Sequence, residues 1–190
     1  KTDNPGSSNS TSIIVPIVGG PYSVDWDNDG IFDEHGLYNS VTNDFGDAGT
    51  YSIRIRGTFD SIRFAWLGDY EKIIALDQWG TNEWTTMQSS FEGCFNLEIP
   101  ATDIPDFSAV TDMSSMFQLA KSANPDTSGW DTSAVTDMTY MFFIAGVAKP
   151  DTSGWITSAV TEMSYMFYEA SEANPDTGGW YTSAVTEMCV

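Results

Sequence analysis

One block of residues, written three times, constrains this chain more than any other feature. Pro125-Asp126-Thr127-Ser128-Gly129-Trp130 runs into Asp131-Thr132-Ser133-Ala134-Val135-Thr136-Asp137-Met138, followed by Met141-Phe142 and Ala145. The same words return from Pro150 and from Pro175, and Trp130, Trp155 and Trp180 set the period at 25 residues. A unit of that size is too small to bury its own apolar face, so it has to stack on its neighbours, which predicts a solenoid. Decayed copies come before the regular ones. Trp84 to Cys94 matches Val110 to Ala120 at an offset of 26 residues.

Within one copy, Val135, Met138, Met141, Phe142 and Ala145 recur at steps of three and four. That spacing predicts a short helix with an apolar stripe. Ser133 or Thr136 would cap it, and Asp137 would sit where the helix dipole favours an anion. Gly146 and Pro150 end the pattern. Pro150-Asp151-Thr152 then reads as a short extended segment beside Pro125-Asp126-Thr127 and Pro175-Asp176-Thr177, at a spacing of about 4.8 Å. The fold expected is an α/β repeat solenoid of leucine-rich-repeat type, with one short strand and one short helix per coil.

The region before the array is different. Residues 1–12 are polar and rich in Ser, Asn and Gly, and read as a flexible leader. Residues 13–80 read as a small antiparallel β cap. Ile13 to Val18 is a β-branched run broken at Pro16. Tyr22 to Trp26 alternates large and polar residues, and Tyr51, Ile53 and Ile55 alternate with Ser52, Arg54 and Arg56, so these two runs are expected to pair antiparallel. Ile62 to Trp66 and Lys72 to Leu76 are further strand candidates. Arg54, Arg56 and Arg63 are expected to answer nearby carboxylates. The repeat array occupies 81–190, with degenerate copies over 81–120 and regular ones over 121–190. Its last copy breaks off in mid-word, which reads as an array that continues.

Val-Thr-Asp/Glu-Met-x-x-Met-Phe, with Phe91-Glu92-Gly93-Cys94 in an early copy and Ala120, Ala145 and Ala170 at the Cys position later, resembles the BspA-like bacterial surface-protein repeat, a distant relative of leucine-rich repeats. The resemblance covers roughly 84–190. It departs from the usual pattern where Asn-Pro-Asp-Thr replaces the Leu-rich strand. The resemblance implies a secreted or surface-anchored bacterial molecule that displays a face for adhesion or recognition. Tyr22 to Gly57 also resembles the hairpin of polycystic-kidney-disease-type extracellular β domains.

Charge narrows the partners. Against 27 Asp and Glu stand 7 Lys and Arg, for a net −20. Nucleic acid needs a basic footprint, which this composition excludes, and a bare anionic membrane would repel the chain. No apolar run approaches a membrane span, so membrane insertion is not expected. Cys94 and Cys189 make no disulfide framework and read as small buried residues, with a bond between them the other reading.

The sharpest local motif is Asp25-Trp26-Asp27-Asn28-Asp29-Gly30-Ile31-Phe32-Asp33-Glu34. Carboxylates at positions one, three and five, Gly at six and a carbonyl at seven make the first half of a calcium loop. The candidate Ca²⁺ ligands are Asp25, Asp27, Asp29, the Ile31 carbonyl and Asp33. Position twelve is Gly36, so Asp33, Glu34 or Asp44 would have to close the shell, and a solvated acidic turn is the competing reading. A second candidate is the row Asp126, Asp151 and Asp176 with Thr127, Thr152 and Thr177. It reads as solvated decoration, as Asx-turns, or as a recognition ladder. Like charges about 5 Å apart in water oppose each other by only ~0.8 kcal/mol, so such a row is tolerable. Trp130, Trp155 and Trp180 read as a buried stack, or, if exposed, as sugar platforms. His35 is the only histidine, and no zinc spacing, phosphate loop or distinguishable carboxylate dyad accompanies it.

The function expected is therefore non-catalytic adhesion or recognition at a bacterial surface or outside the cell. The expected partner is a host or neighbouring-cell protein or glycan, and self-association is also in view. A carbohydrate-binding accessory module and a self-assembling surface element are the rival readings.

Overall fold

The computed structural model describes residues 1–66 and 68–189. All its regular strands lie towards the N-terminus. β1 (Ser12–Val15) pairs antiparallel with β5 (Val41–Asp44), and β2 (Ile17–Val18) with β7 (Ser61–Ile62). β3 (Tyr22–Asp25) lies between β4 (Glu34–Leu37) and β6 (Arg54–Gly57). Pro16 separates β1 from β2 because it has no N–H to give a ladder, while its carbonyl accepts from Arg63 N at 2.8 Å. The expected pairing of 22–26 with 51–57 is found as Tyr22 opposite Gly57 through Asp25 opposite Arg54. Ile53 and Ile55 pack on the core, and Ser52, Arg54 and Arg56 face outward.

Several expectations for this region are corrected. Of the strand candidates 62–66 and 72–76, only Ile62 joins a strand, and Ala75 makes a single parallel bridge to Glu98. Phe64, Ala65 and Trp66 instead donate their N–H groups to Ser90, Ser89 and Glu92, closing off the first coil. Arg56 lies over the Phe32 ring at 3.8 Å, and no ion pair joins Arg54, Arg56 or Arg63 to a carboxylate among the described residues. Residues 1–12, expected as a flexible leader, are pinned. The Lys1 amino group donates to the Lys72 carbonyl at 2.7 Å, and Asn4 Nδ2 donates to the Glu71 carbonyl at 2.9 Å. The buried Lys72 ammonium reaches Ser8 O, Ser8 Oγ, Asn9 O and Ser12 O at 2.6–3.1 Å. Asp69, also buried, accepts from Ser8 N at 3.0 Å and Ile14 N at 2.6 Å.

The α/β solenoid with a helix in each coil is overturned. No helix occurs among the described residues, and the fold is all-β, made of small sheets, turns and isolated bridges. The apolar stripe is real, with Val135, Met138, Met141, Phe142 and Ala145 all buried, but consecutive turns carry it. Met141, Phe143, Ala145 and Ala148 donate to the carbonyls three residues back. The residues between them donate forward to the next coil: Met138 to Glu162, Tyr140 to Ser164, Phe142 to Met166 and Ile144 to Tyr168, at 2.8–3.0 Å. A helix would keep all of these bonds internal. Sharing half of them with a neighbour requires left-handed backbone at every fourth residue, and Ser115, Leu119, Tyr140, Ile144, Tyr165 and Glu169 have φ of 53–60°. The capping roles expected of Ser133, Thr136 and Asp137 lapse with the helix.

The coils bond in register along one parallel line, Asp112 to Asp137 to Glu162 to Glu187. This line is not at Pro-Asp-Thr, where the extended segments were expected. Proline has no N–H to offer there, and the inter-coil bond passes to a side chain. Thr127 Oγ1 donates to the Asp151 carbonyl and Thr152 Oγ1 to that of Asp176, both at 2.8 Å. Inside the stack, Phe91, Phe117, Phe142 and Phe167 form a column with ring centroids 5.5–5.7 Å apart. Phe64 from the cap continues that column at 6.5 Å. One apolar core therefore runs from Val15 to Met166 without a break.

Candidate functional site

The acidic loop follows directly from β3. Asp25 is the buried end of that strand, and its carboxylate accepts from Asp29 N at 3.2 Å and Gly30 N at 2.9 Å. Asp27 accepts from Asp29 N at 3.2 Å and Asp29 from Ile31 N at 2.7 Å. Asn28 at φ 60° and Gly30 at φ 95° let the chain curl tightly enough for this. One carboxylate oxygen each from Asp25, Asp27 and Asp29 lies within 4.8 Å of the others. A hard cation collects oxygens in this way. Asp33 does not join that trio and instead accepts from Trp26 N at 2.8 Å. Glu34 accepts from Trp26 Nε1 at 2.8 Å. Asp44, on β5, accepts from Thr11 Oγ1 at 2.6 Å, and this hydroxyl holds its carboxyl below the ordinary range. Ile31 lies in the same turn with its side chain exposed.

The Asp-Thr rows separate into two jobs. Asp126, Asp151 and Asp176 are exposed and each folds its own turn, accepting from Ser128 N, Ser153 N and Gly178 N at 3.0 Å. The Ser128 and Ser153 hydroxyls hold Asp126 and Asp151 below the usual carboxylate range. Thr127 and Thr152 are buried and spent on inter-coil bonds, whereas Thr177, in the last coil, is exposed. The surface here thus presents carboxylates, with the first two threonines behind it. Trp130 and Trp155 are buried and offer no ring face to solvent, and Trp180 is half-buried, stacked on Trp155 at 6.4 Å. Of the cysteines, Cys94 is buried, and burial pushes its thiol up, while Cys189 is exposed, against expectation.

The chain's one histidine finds a hydroxyl, with Ser23 Oγ 3.0 Å from His35 Nδ1 across the β3–β4 pair. A nucleophile–base pair also needs a third group to orient the base, and among the described residues the His35 ring has no hydrogen bond besides this exposed contact. A hollow of about 330 Å³ nearby is lined by Pro21, Tyr22, Ser23, Gly36, Arg56 and Gly57. Another, of about 660 Å³, lies against Met163, Tyr165, Met166, Tyr168, Trp180 and Cys189.

The family described as Mycoplasma protein of unknown function, DUF285, matches residues 64–145 and again residues 85–190. The chain belongs to that family. No curated protein and no solved structure matches it. The DUF285 matches begin at Phe64, whose N–H donates to Ser90, and they run through every copy of the repeat.

Within the DUF285 region, sequence reasoning missed one feature of the surface. Tyr140 stacks on Tyr165 with centroids 5.3 Å apart, and Phe143 on Tyr168 at 5.2 Å. These rings lie on the outer side of the turns whose inner side carries Met138, Met141 and Phe142. The signal was available in principle, because rings stand at these positions where the preceding copy has Ser115 and Gln118. A helical reading of the stripe hides it, since it spreads the outer residues around a cylinder.

Proposed function

We propose that this chain is a non-catalytic bacterial repeat protein of BspA-like kind, secreted or held at the cell surface, that recognises a protein or glycan through the outward side of its stacked coils. The observation that carries this reading is the alignment of equivalent outer residues into columns about one strand spacing apart, over a core that repeats nearly unchanged. Such columns form an extended surface, and extended surfaces suit docking better than a reaction that needs a closed, water-poor cleft. The strong negative charge supports a partner that is not itself anionic.

Calcium belongs to the proposal as a stiffener of the loop after β3, held by Asp25, Asp27 and Asp29 with the Ile31 carbonyl. Asp33 would act beside it by fixing Trp26. The gathering of three carboxylates within 4.8 Å supports this. Millimolar Ca²⁺ should raise the melting temperature of the parent and leave that of Asp27→Ala unchanged. Equal behaviour of the two would remove calcium from the reading. The recognition role is tested by probing arrays of surface proteins and glycans with the purified chain. Saturable binding to a defined class is expected, and silence across both arrays would sink the role.

A further inference from the structure

The regular copies are almost interchangeable where they fold. Between Pro125–Met138 and Pro150–Met163 only two positions differ, Asp131 against Ile156 and Asp137 against Glu162. On the outer side of the following turns the copies diverge: Ser115 becomes Tyr140 and Tyr165, Gln118 becomes Phe143 and Tyr168, Ser122 becomes Val147 and then Glu172, and Leu119 becomes Ile144 and then Glu169. Ser115, Gln118 and Ser122 show that the stack folds with polar residues there. Solvent alone gives no reason to replace them with rings and aliphatics, since exposed apolar surface favours association. Val147 is 43% exposed and Tyr168 42%.

The rings are fixed in place. Tyr140 and Tyr165 lie within 5° of parallel and Phe143 and Tyr168 within 14°, while Tyr140 meets Phe143 edge-on at 5.3 Å. The backbone beneath them is locked by the alternating bonds within and between coils. Side chains already held in one arrangement lose little freedom on binding.

The surroundings select the partner. Asp137, Glu162, Glu169 and Glu172 belong to these coils, where Lys149 is paired with Glu172 at 3.3 Å, and Lys121, one coil earlier, lies over the Phe95 ring. With a net charge of −20, a second copy or an anionic surface is repelled. A sugar packs on the faces of aromatic rings, and in each stacked pair every ring turns one face on its partner, which leaves fewer faces free for a sugar than a single exposed ring would. Resting on the recognition role proposed above, we infer that Tyr140, Phe143, Ile144, Val147, Tyr165 and Tyr168 form the docking surface, and that it takes a protein partner whose apolar contact is ringed by lysine and arginine.

The test runs the same arrays on the parent, on Tyr140→Ser/Phe143→Gln/Tyr165→Ser/Tyr168→Gln, and on Glu169→Lys/Glu172→Lys. The first variant installs in both coils the residues that the coil of Ser115 and Gln118 carries at those positions, and leaves the charge unchanged. The second keeps every ring and alters only exposed residues, so one of the pair stays informative if the other folds poorly. The parent should bind basic proteins, and each variant should bind them more weakly by about tenfold or more. Equal binding by parent and variants, preference for glycans, or dimerisation of the parent in sedimentation would overturn this surface while leaving a recognition role intact. A parent that binds nothing would remove both.

Discussion

Thr132 and Thr157 each answer two backbone groups of the coil that follows. Thr132 Oγ1 donates to the Ile156 carbonyl at 3.1 Å and accepts from Ile156 N at 2.8 Å, and Thr157 does the same for Tyr181 at 3.2 and 2.8 Å. Thr132→Val keeps the shape but leaves the part-buried Ile156 N–H and carbonyl without this partner, at a cost of about 1 kcal/mol. Ser133→Ala, one residue away and exposed, should cost less than about 0.5 kcal/mol. Urea unfolding of the two variants checks the contrast. Lys72 is the other residue whose burial implies a role. Lys72→Met removes the ammonium from its ring of oxygens and leaves Asp69 buried without it, which should cost about 3–5 kcal/mol. Amide exchange over residues 1–12 should accelerate with it, and slow exchange there would show that the strap is held by something else.

The elements of the array are defined by where their N–H groups go. Glu169 is exposed, with φ at 53°, a conformation that costs a side-chain-bearing residue roughly 1–2 kcal/mol and glycine very little. Glu169→Gly is therefore expected to be neutral or to stabilise by up to about 1 kcal/mol. In a helix the same change would destabilise by about 1 kcal/mol, so a thermal melt separates the two architectures. The turns respond to acid. Ser128, Ser133 and Ser153 hold Asp126, Asp131 and Asp151 below the ordinary range. Unfolded, these carboxyls titrate near about 3.9. Below that value the unfolded chain binds more protons, so stability rises with pH. The contribution is present above about pH 4 and lost as pH falls through the folded values. The variant Ser128→Ala/Ser133→Ala/Ser153→Ala should lose less stability on acidification than the parent, read from the urea midpoint.

At the scale of the whole molecule, like charge opposes the stack that hydrogen bonds and the aromatic column hold together. Asp112, Asp137, Glu162 and Glu187 lie on one parallel line, and the chain as a whole carries −20. Raising NaCl from about 0.01 M to about 1 M shortens the screening length from about 30 Å to about 3 Å. The melting temperature should rise with it, and a fall would mean that the carboxylates are matched by cations in the fold. The small sheets and the coils share one core, and the N-terminal segment is hydrogen-bonded to Glu71 and Lys72, so a single cooperative transition is expected.

The repeat period, the buried rows of Val, Met and Phe, and the pairing of β3 with β6 were legible in the sequence because each rests on local spacing of apolar residues. The Asx-turns at Asp126 and Asp151 stood among the readings for the same reason, since an aspartate and an N–H two residues on already contain the bond. Only the tertiary structure decided that the apolar stripe is not helical. Every second N–H along it finds a partner only once the next coil is present, so no pattern within one copy can announce the choice. Contacts between distant residues were equally out of reach: Lys72 against Ser8 and Ser12, the Thr127 hydroxyl on the carbonyl of the following coil, and the tyrosine columns assembled from residues 25 apart in the chain. Spacing dictates what must be buried, whereas the partners of the backbone are settled only when the coils meet.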